Sequence, residues 1–164
     1  MRLFAFICAA MLALPVAAND RASGGQKIWF SSSEEIREGA SLIDSGQIEK
    51  GIEVTRDAMK TDLSISDIAA GYNNLCTADI ARAQYDSAME KCQRALRIKK
   101  NMPEPLNNIG NIHFFMGDYQ TAVDFYKRAL RSRPLDDQIM GNLMLAQRRL
   151  KGPGTSPSGG AAAG

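Results

Sequence analysis

The chain is poor in the residues that most often carry chemistry: it has one histidine, His113, one tryptophan and three cysteines in 164 residues. A lone histidine with no Cys, His or Asp cluster at ligand spacing does not make a zinc site. No nucleophile, base and orienting group stand together as a hydrolytic site requires. His113 is therefore read as a packing or groove-wall residue. Glycines fall at turns and in the C-terminal tail instead of forming a phosphate-cradling loop. Neither metal nor other cofactor is expected, and the chain reads as non-catalytic. Charge of one sign is missing too, with 20 Lys and Arg against 18 Asp and Glu. Such a balance offers no polyanion-binding surface and disfavours nucleic acid.

What is present points to export and to a single ordered unit. A hydrophobic fraction of 45% and a charged fraction of 23% suit an ordinary folded domain. Arg2, the apolar run Leu3 to Leu14 and the small residues Val16-Ala17-Ala18 read as a secretory signal over residues 1–18, cleaved near Ala18. The run is shorter than the ~20 residues of a membrane span, so an uncleaved anchor is the weaker reading and the mature form is expected off the membrane. Cleavage removes one positive charge, taking the formal balance from +2 to +1. It also leaves two cysteines, Cys76 and Cys92, in a compartment where disulfides persist. Periplasmic or secreted protein is the expectation. Residues 19–31 form a loose N-terminal segment, in which Ile28-Trp29-Phe30 either folds back on the domain or meets a partner. Residues 152–164, rich in Gly, Pro, Ser and Ala, lack the apolar content to pack.

Self-comparison reveals a period. Asn74, Leu75, Cys76, Tyr85, Ala88, Cys92, Ala95 and Leu96 each precede Asn108, Ile109, Gly110, Tyr119, Ala122, Tyr126, Ala129 and Leu130 by 34 residues. An earlier copy, with Gly46, Ile48, Gly51, Ala58 and Met59, stands 37 residues before Ala83, Tyr85, Ala88, Ala95 and Leu96. The three extra residues fall between Leu63 and Asp67. Asn142-Leu143 begins a fourth copy, of which only one helix remains. Within Ala122-Val-Asp-Phe125-Tyr126-Lys-Arg-Ala129-Leu130, apolar residues recur at three- and four-residue steps, which places them on one helix face. Gly117-Asp118 supplies a turn and a helix cap, and Pro134 ends the following helix.

The third copy, Leu106-Asn-Asn-Ile109-Gly110-Asn-Ile-His113, then Gly117-Asp118-Tyr119, Ala122, Tyr126, Ala129 and Pro134, resembles the tetratricopeptide repeat. The second copy departs from it with Cys76 at the small position, Asp79 at a tyrosine, Cys92 at an aromatic and Lys100 at the proline. The first departs with Glu35 and Glu38 at apolar positions and Leu42 at the tyrosine. The resemblance implies an all-α, short right-handed superhelical solenoid. Its repeats span residues 32–65, 69–102 and 103–136, with a closing helix at 137–151 whose polar face carries Gln147, Arg148, Arg149 and Lys151.

The same resemblance implies that Asn73, Asn74, Thr77, Asn107, Asn108, Asn111, Phe114, Phe115, Asn142 and Leu145 line a concave groove that binds a protein or peptide partner. Asn74, Asn108 and Asn142 repeat at 34-residue intervals and look like a ladder of amides able to hold an extended peptide main chain. The competing reading is that these amides bond to neighbouring helices and fix the stack. Arg37 and the asparagines supply only part of the set that some relatives use to clamp a terminal carboxylate. Cys76 and Cys92 face each other in the implied hairpin, either bridged or as two buried thiols. Arg94, Arg97, Lys99, Lys100, Arg128, Arg131 and Arg133 cluster near the ends of second helices, where cations complement the helix dipole; an acidic-ligand site is the sharper alternative. A homo-oligomer, through end-to-end stacking that buries Trp29 or the last helix, is the second reading of function.

Overall fold

A computed structural model describes residues 33–152, so the expectations for the leader, the N-terminal segment and all of the tail after Gly152 lie outside the described residues. Within them the chain runs through α1 (Glu34–Asp44), α2 (Ile48–Ala58), α3 (Ile65–Ala81), α4 (Tyr85–Ile98), α5 (Pro103–Phe115), α6 (Tyr119–Ser132) and α7 (Asp137–Lys151), with no strand. The helices pair as hairpins α1–α2, α3–α4 and α5–α6, and α7 packs on α6. The first helices also touch in series, α1 on α3, α3 on α5 and α5 on α7. They thereby form one continuous layer.

Local sequence starts and stops these helices. Asp118 and Asp136 cap α6 and α7, accepting from the backbone N–H of Thr121 at 3.1 Å and of Ile139 at 3.0 Å, which satisfies donors that a helix start leaves orphaned. The hairpin turns place Gly46, Ala83 and Gly117 at φ +84°, +56° and +82°. Two glycines adopt this left-handed backbone freely; Ala83 holds it against its Cβ.

The three-residue insertion becomes structure instead of loop. α3 begins at Ile65, four residues before the boundary at 69 that the register suggests. Ser64 and Asp67 form the reason: Asp67 N–H donates to Ser64 Oγ at 3.1 Å, and Ser64 Oγ–H donates to Asp67 Oδ2 at 2.6 Å. The other carboxylate oxygen accepts from the Ser33 backbone N–H at 3.0 Å, so the buried Asp67 ties the start of α1 to the start of α3.

Each hairpin closes at the same register position by different chemistry. In the third, Gly110 faces Tyr126; a Cβ on Gly110 would lie 2.5 Å from the ring. In the first, Gly39 faces Thr55, whose buried Oγ1 has no hydrogen-bond partner among the described residues. In the second, both places are cysteine, and Cys76 and Cys92 are bridged with Cα atoms 5.4 Å apart. Of the two states left open by the sequence, the structure holds the disulfide. Asp79, at the position usual for a tyrosine, is buried beside it in an ion pair with Lys91, which also donates to Ser87 Oγ at 2.7 Å. Three of the second repeat's four departures are thus compensated within its hairpin, Cys76 by Cys92 and Asp79 by Lys91.

The bridge closes a loop of 16 residues' separation, for which chain-entropy arguments give about 3 kcal/mol. A Cys76→Ser/Cys92→Ser variant is expected to lose about that much in urea unfolding monitored by circular dichroism, and reduction of the wild type should lower its midpoint similarly. A reductant-insensitive midpoint would show that the thiols are not bridged in solution.

Candidate functional site

The layer of first helices bounds an open cleft of about 590 Å³. Its walls are Arg37, Ala40 and Asp44 of α1, Ala70, Asn73, Asn74 and Thr77 of α3, and Glu104, Asn107 and Asn108 of α5. Lys99, Lys100 and Asn101 from the α4–α5 connection, Arg133 after α6, and Gln138 of α7 close its rim.

Five of the residues assigned from sequence, Asn73, Asn74, Thr77, Asn107 and Asn108, line this cleft; Asn111, Phe114, Phe115, Asn142 and Leu145 do not. Phe114 packs partly buried against the α5–α7 core and against Tyr119. Phe115, 57% exposed, stacks on Tyr85 at 5.9 Å between ring centroids. Leu145 is exposed on α7. The physical reason is that α5 ends at Phe115 with Tyr85 and Tyr119 beside it, and these rings draw the phenylalanines to the end of the hairpin.

The amide ladder is engaged within the stack. Asn74 Nδ2 donates to the Ile36 carbonyl at 2.8 Å. Asn108 Nδ2 donates to Asn73 Oδ1 and Thr77 Oγ1, both at 3.0 Å. Asn142 Nδ2 donates to Asn107 Oδ1 at 2.9 Å and Asn111 Oδ1 at 3.3 Å. The rule repeats down the solenoid, each asparagine reaching back to the preceding first helix. Asn111 Oδ1 also accepts from the Tyr126 hydroxyl at 2.8 Å, linking the relay to the hairpin contact; burial pushes that phenol's pKa well above its ordinary value. An amide with its N–H groups turned to a neighbouring helix does not present them to a peptide, so the donated bonds of Asn74, Asn108 and Asn142 serve the stack, as the second of the two readings weighed from sequence has it.

The basic residues divide between two jobs. Arg94 lies over the Tyr72 ring at 5.6 Å and Arg128 over Phe125 at 4.7 Å, stabilising the outer layer as cation–π pairs. Lys99, Lys100 and Arg133 instead reach the cleft. Arg133 is paired with Glu104 and, at 3.2 Å, with Asp136. The bond to Glu104 raises its pKa, chiefly, while the Ile139 N–H lowers that of Asp136. Lys99 meets only Ser66 Oγ, at 3.5 Å, and Lys100 has no side-chain partner among the described residues. Lys99 caps α4 in extended geometry and Asn101 follows at φ +61°, so this connection turns the two lysines to the rim. The sequence reading counted both among the cations that complement helix ends, with an acidic-ligand site as the alternative; it did not single them out from the other five, which their place in the connection between repeats does. His113 stacks on Phe125 at 5.6 Å and its Nδ1 lies 3.2 Å from Asp118 Oδ2, outside the cleft. Among the described residues no group of three or more His, Cys, Asp or Glu is placed to hold a metal ion, and no helix is long and apolar enough to cross a membrane.

Serial hairpins whose first helices form an open concave layer define a helical-repeat solenoid. The tetratricopeptide repeat profile matches residues 62–134, and that stretch of the chain is built of tetratricopeptide repeats. It is similar to the photosystem I assembly protein Ycf3 of Synechococcus elongatus, 25% identical over 134 residues, covering 73% of this chain and 74% of that protein. It is also similar to sperm-associated antigen 1 of Rattus norvegicus, 27% identical over 123 residues; these cover 74% of this chain but only 13% of the rat protein's length. Among solved structures, the first tetratricopeptide domain of human RPAP3 superposes with a TM-score of 0.61 at 16% identity, over 71% of this chain and 90% of that one. The second domain of the same human protein, in complex with the HSP70 peptide SGPTIEEVD, gives 0.57 at 19% identity, over 71% and 95%.

Truncating Asn108 to alanine leaves Asn73 and Thr77 without its donors at the middle of the stack. A loss of about 1–3 kcal/mol is expected, read as a lower urea midpoint. Asn142→Ala, at the open end of the relay, should cost less; equal and negligible losses at both would remove the stacking role.

Proposed function

We propose that this chain is an exported, non-catalytic binding module that holds an acidic, extended segment of a protein partner in its concave cleft. The observation that carries the reading is the pair Lys99 and Lys100 at the rim of an open cleft. Arg133, by contrast, is neutralised by Glu104 and Asp136. Cations without carboxylate partners beside a concave surface favour carboxylates arriving from outside. Buried amides set the shape of that surface, and the lysines supply its charge.

Support comes from the structural relative whose peptide, SGPTIEEVD, carries two glutamates and a terminal aspartate. The periplasmic or secreted setting draws support from the bridged Cys76 and Cys92, since such bonds persist in oxidising compartments, and from the leader-like residues 1–18.

The test is fluorescence anisotropy with residues 19–164 and labelled nine-residue peptides, one rich in Glu and Asp, the other its Gln and Asn counterpart. The acidic peptide should bind more tightly, and Lys99→Glu/Lys100→Glu should weaken it by about tenfold or more, with helicity unchanged. Equal binding of both peptides, or indifference to the lysines, would remove the acidic specificity. Absence of binding by either would remove the cleft reading.

A further inference from the structure

The closing helix exposes the face that, in a complete repeat, is covered. By the 34-residue register Met140 and Met144 correspond to Leu106 and Gly110, which pack against the second helix of their own hairpin through Tyr126. Leu106 is 2% exposed, whereas Met140 and Met144 are 37% and 68% exposed. Leu143 and Ala146, which meet the preceding α6, are at least partly covered. So α7 holds the register of a first helix with no second helix packed on it among the described residues, and Met140 and Met144 make the centre of its outward stripe apolar.

Residues 153–164 contain no side chain larger than those of Pro and Thr. The apolar triad Ile28-Trp29-Phe30 ends four residues before α1, a reach of roughly 14 Å. α7 touches only α5 and α6, and three steps from one first helix to the next at about 8–10 Å each separate it from α1. Stacking α7 on the α1 end of another copy sets Met140 and Met144 against the exposed Glu35 and Glu38, which mismatches apolar and charged groups. Such a contact is also heterologous and does not close at two copies.

The stripe is complementary to itself. Asp137, Met140, Met144, Arg148 and Lys151 follow at steps of three and four residues, and so share one face. Asp137 stands in the first turn, and Arg148 and Lys151 in the last. Gly141 lies beside the two methionines, with open space where a Cβ would be, which admits close helix approach. We propose that two copies of the chain pair through α7, antiparallel about a two-fold axis at Met144. In that register Asp137 faces Lys151 of the second copy, and Met140 lies along the aliphatic stem of the second copy's Arg148. The contact is isologous and closes at two copies. One helix face buries less than a standard interface, so the dimer dissociates in the micromolar range, with a Kd of about 10–100 μM.

Sedimentation equilibrium of residues 19–164 between about 10 and 500 μM brackets that range. A monomer–dimer equilibrium is expected. Met144→Glu should give a monomer throughout, Asp137→Lys and Lys151→Asp should each weaken the dimer, and the double exchange should restore it. Because these side chains are exposed, circular dichroism should show every variant equally helical. Met144→Cys places one thiol on the axis and should yield a disulfide-linked dimer under oxidation. A wild type that stays monomeric across the range overturns the proposal, as does a dimer indifferent to Met144→Glu. A double exchange that fails to restore association overturns the antiparallel register.

Discussion

Everything in this solenoid depends on how closely two helices of a hairpin can approach at one recurring point. That point holds Gly39 with Thr55, Cys76 with Cys92, and Gly110 with Tyr126. In each case the space between two backbones is filled once, by a hydroxyl-bearing chain, by a sulfur–sulfur bond or by an aromatic ring. Filling it twice is impossible, since a Cβ on Gly110 would press into the Tyr126 ring. Leaving it empty would forfeit the packing that a small domain needs. The substitutions therefore make sense only as pairs. A cysteine at 76 without one at 92 would face either a void or a collision.

That constraint explains what was legible in the sequence and what was not. The repeat spacing, the turn at Gly117, the caps at Asp118 and Asp136 and the stop at Pro134 are local or periodic. Each followed from residue type at a fixed offset. Cys76 and Cys92 were placed opposite each other by the same register, although their oxidation state was not. The start of α3 was misplaced because its first turn depends on Asp67 meeting Ser33, a contact between residues 34 apart that no local pattern carries.

The amides show a different limit. Register identified Asn74, Asn108 and Asn142 as equivalent, and they are equivalent in the structure. Register does not say which way an amide's N–H groups turn. The acceptors decide that, and the preceding helix supplies them each time: the Ile36 carbonyl, then Asn73 with Thr77, then Asn107 with Asn111. Half-buried amides lacking those acceptors would be costly, so the stack claims them before any ligand arrives. In the proposed reading, recognition then falls to groups that packing leaves over, the rim lysines Lys99 and Lys100, while the asparagines hold the stack together.

The two ends of the solenoid face opposite problems. At α1 no earlier hairpin covers the outer face among the described residues, and the position of Ile109, which packs on the preceding hairpin in the third copy, has become Glu38, so water is an adequate neighbour. At α7 the equivalent adjustment is missing. Met140 and Met144 are apolar and exposed, with no second helix packed on them among the described residues. A chain that altered one end for solvent and left the other apolar distinguishes its ends chemically. That asymmetry bears on assembly. An end-to-end contact would join unlike faces and propagate, whereas like faces meeting at α7 stop at two copies and leave both concave clefts open. The proposed recognition in the cleft and the proposed association at α7 rest on different forces, charge at one and apolar contact at the other. α7 takes part in both, since its Gln138 stands on the cleft rim and its Asn142 is bonded to Asn107 on the cleft wall.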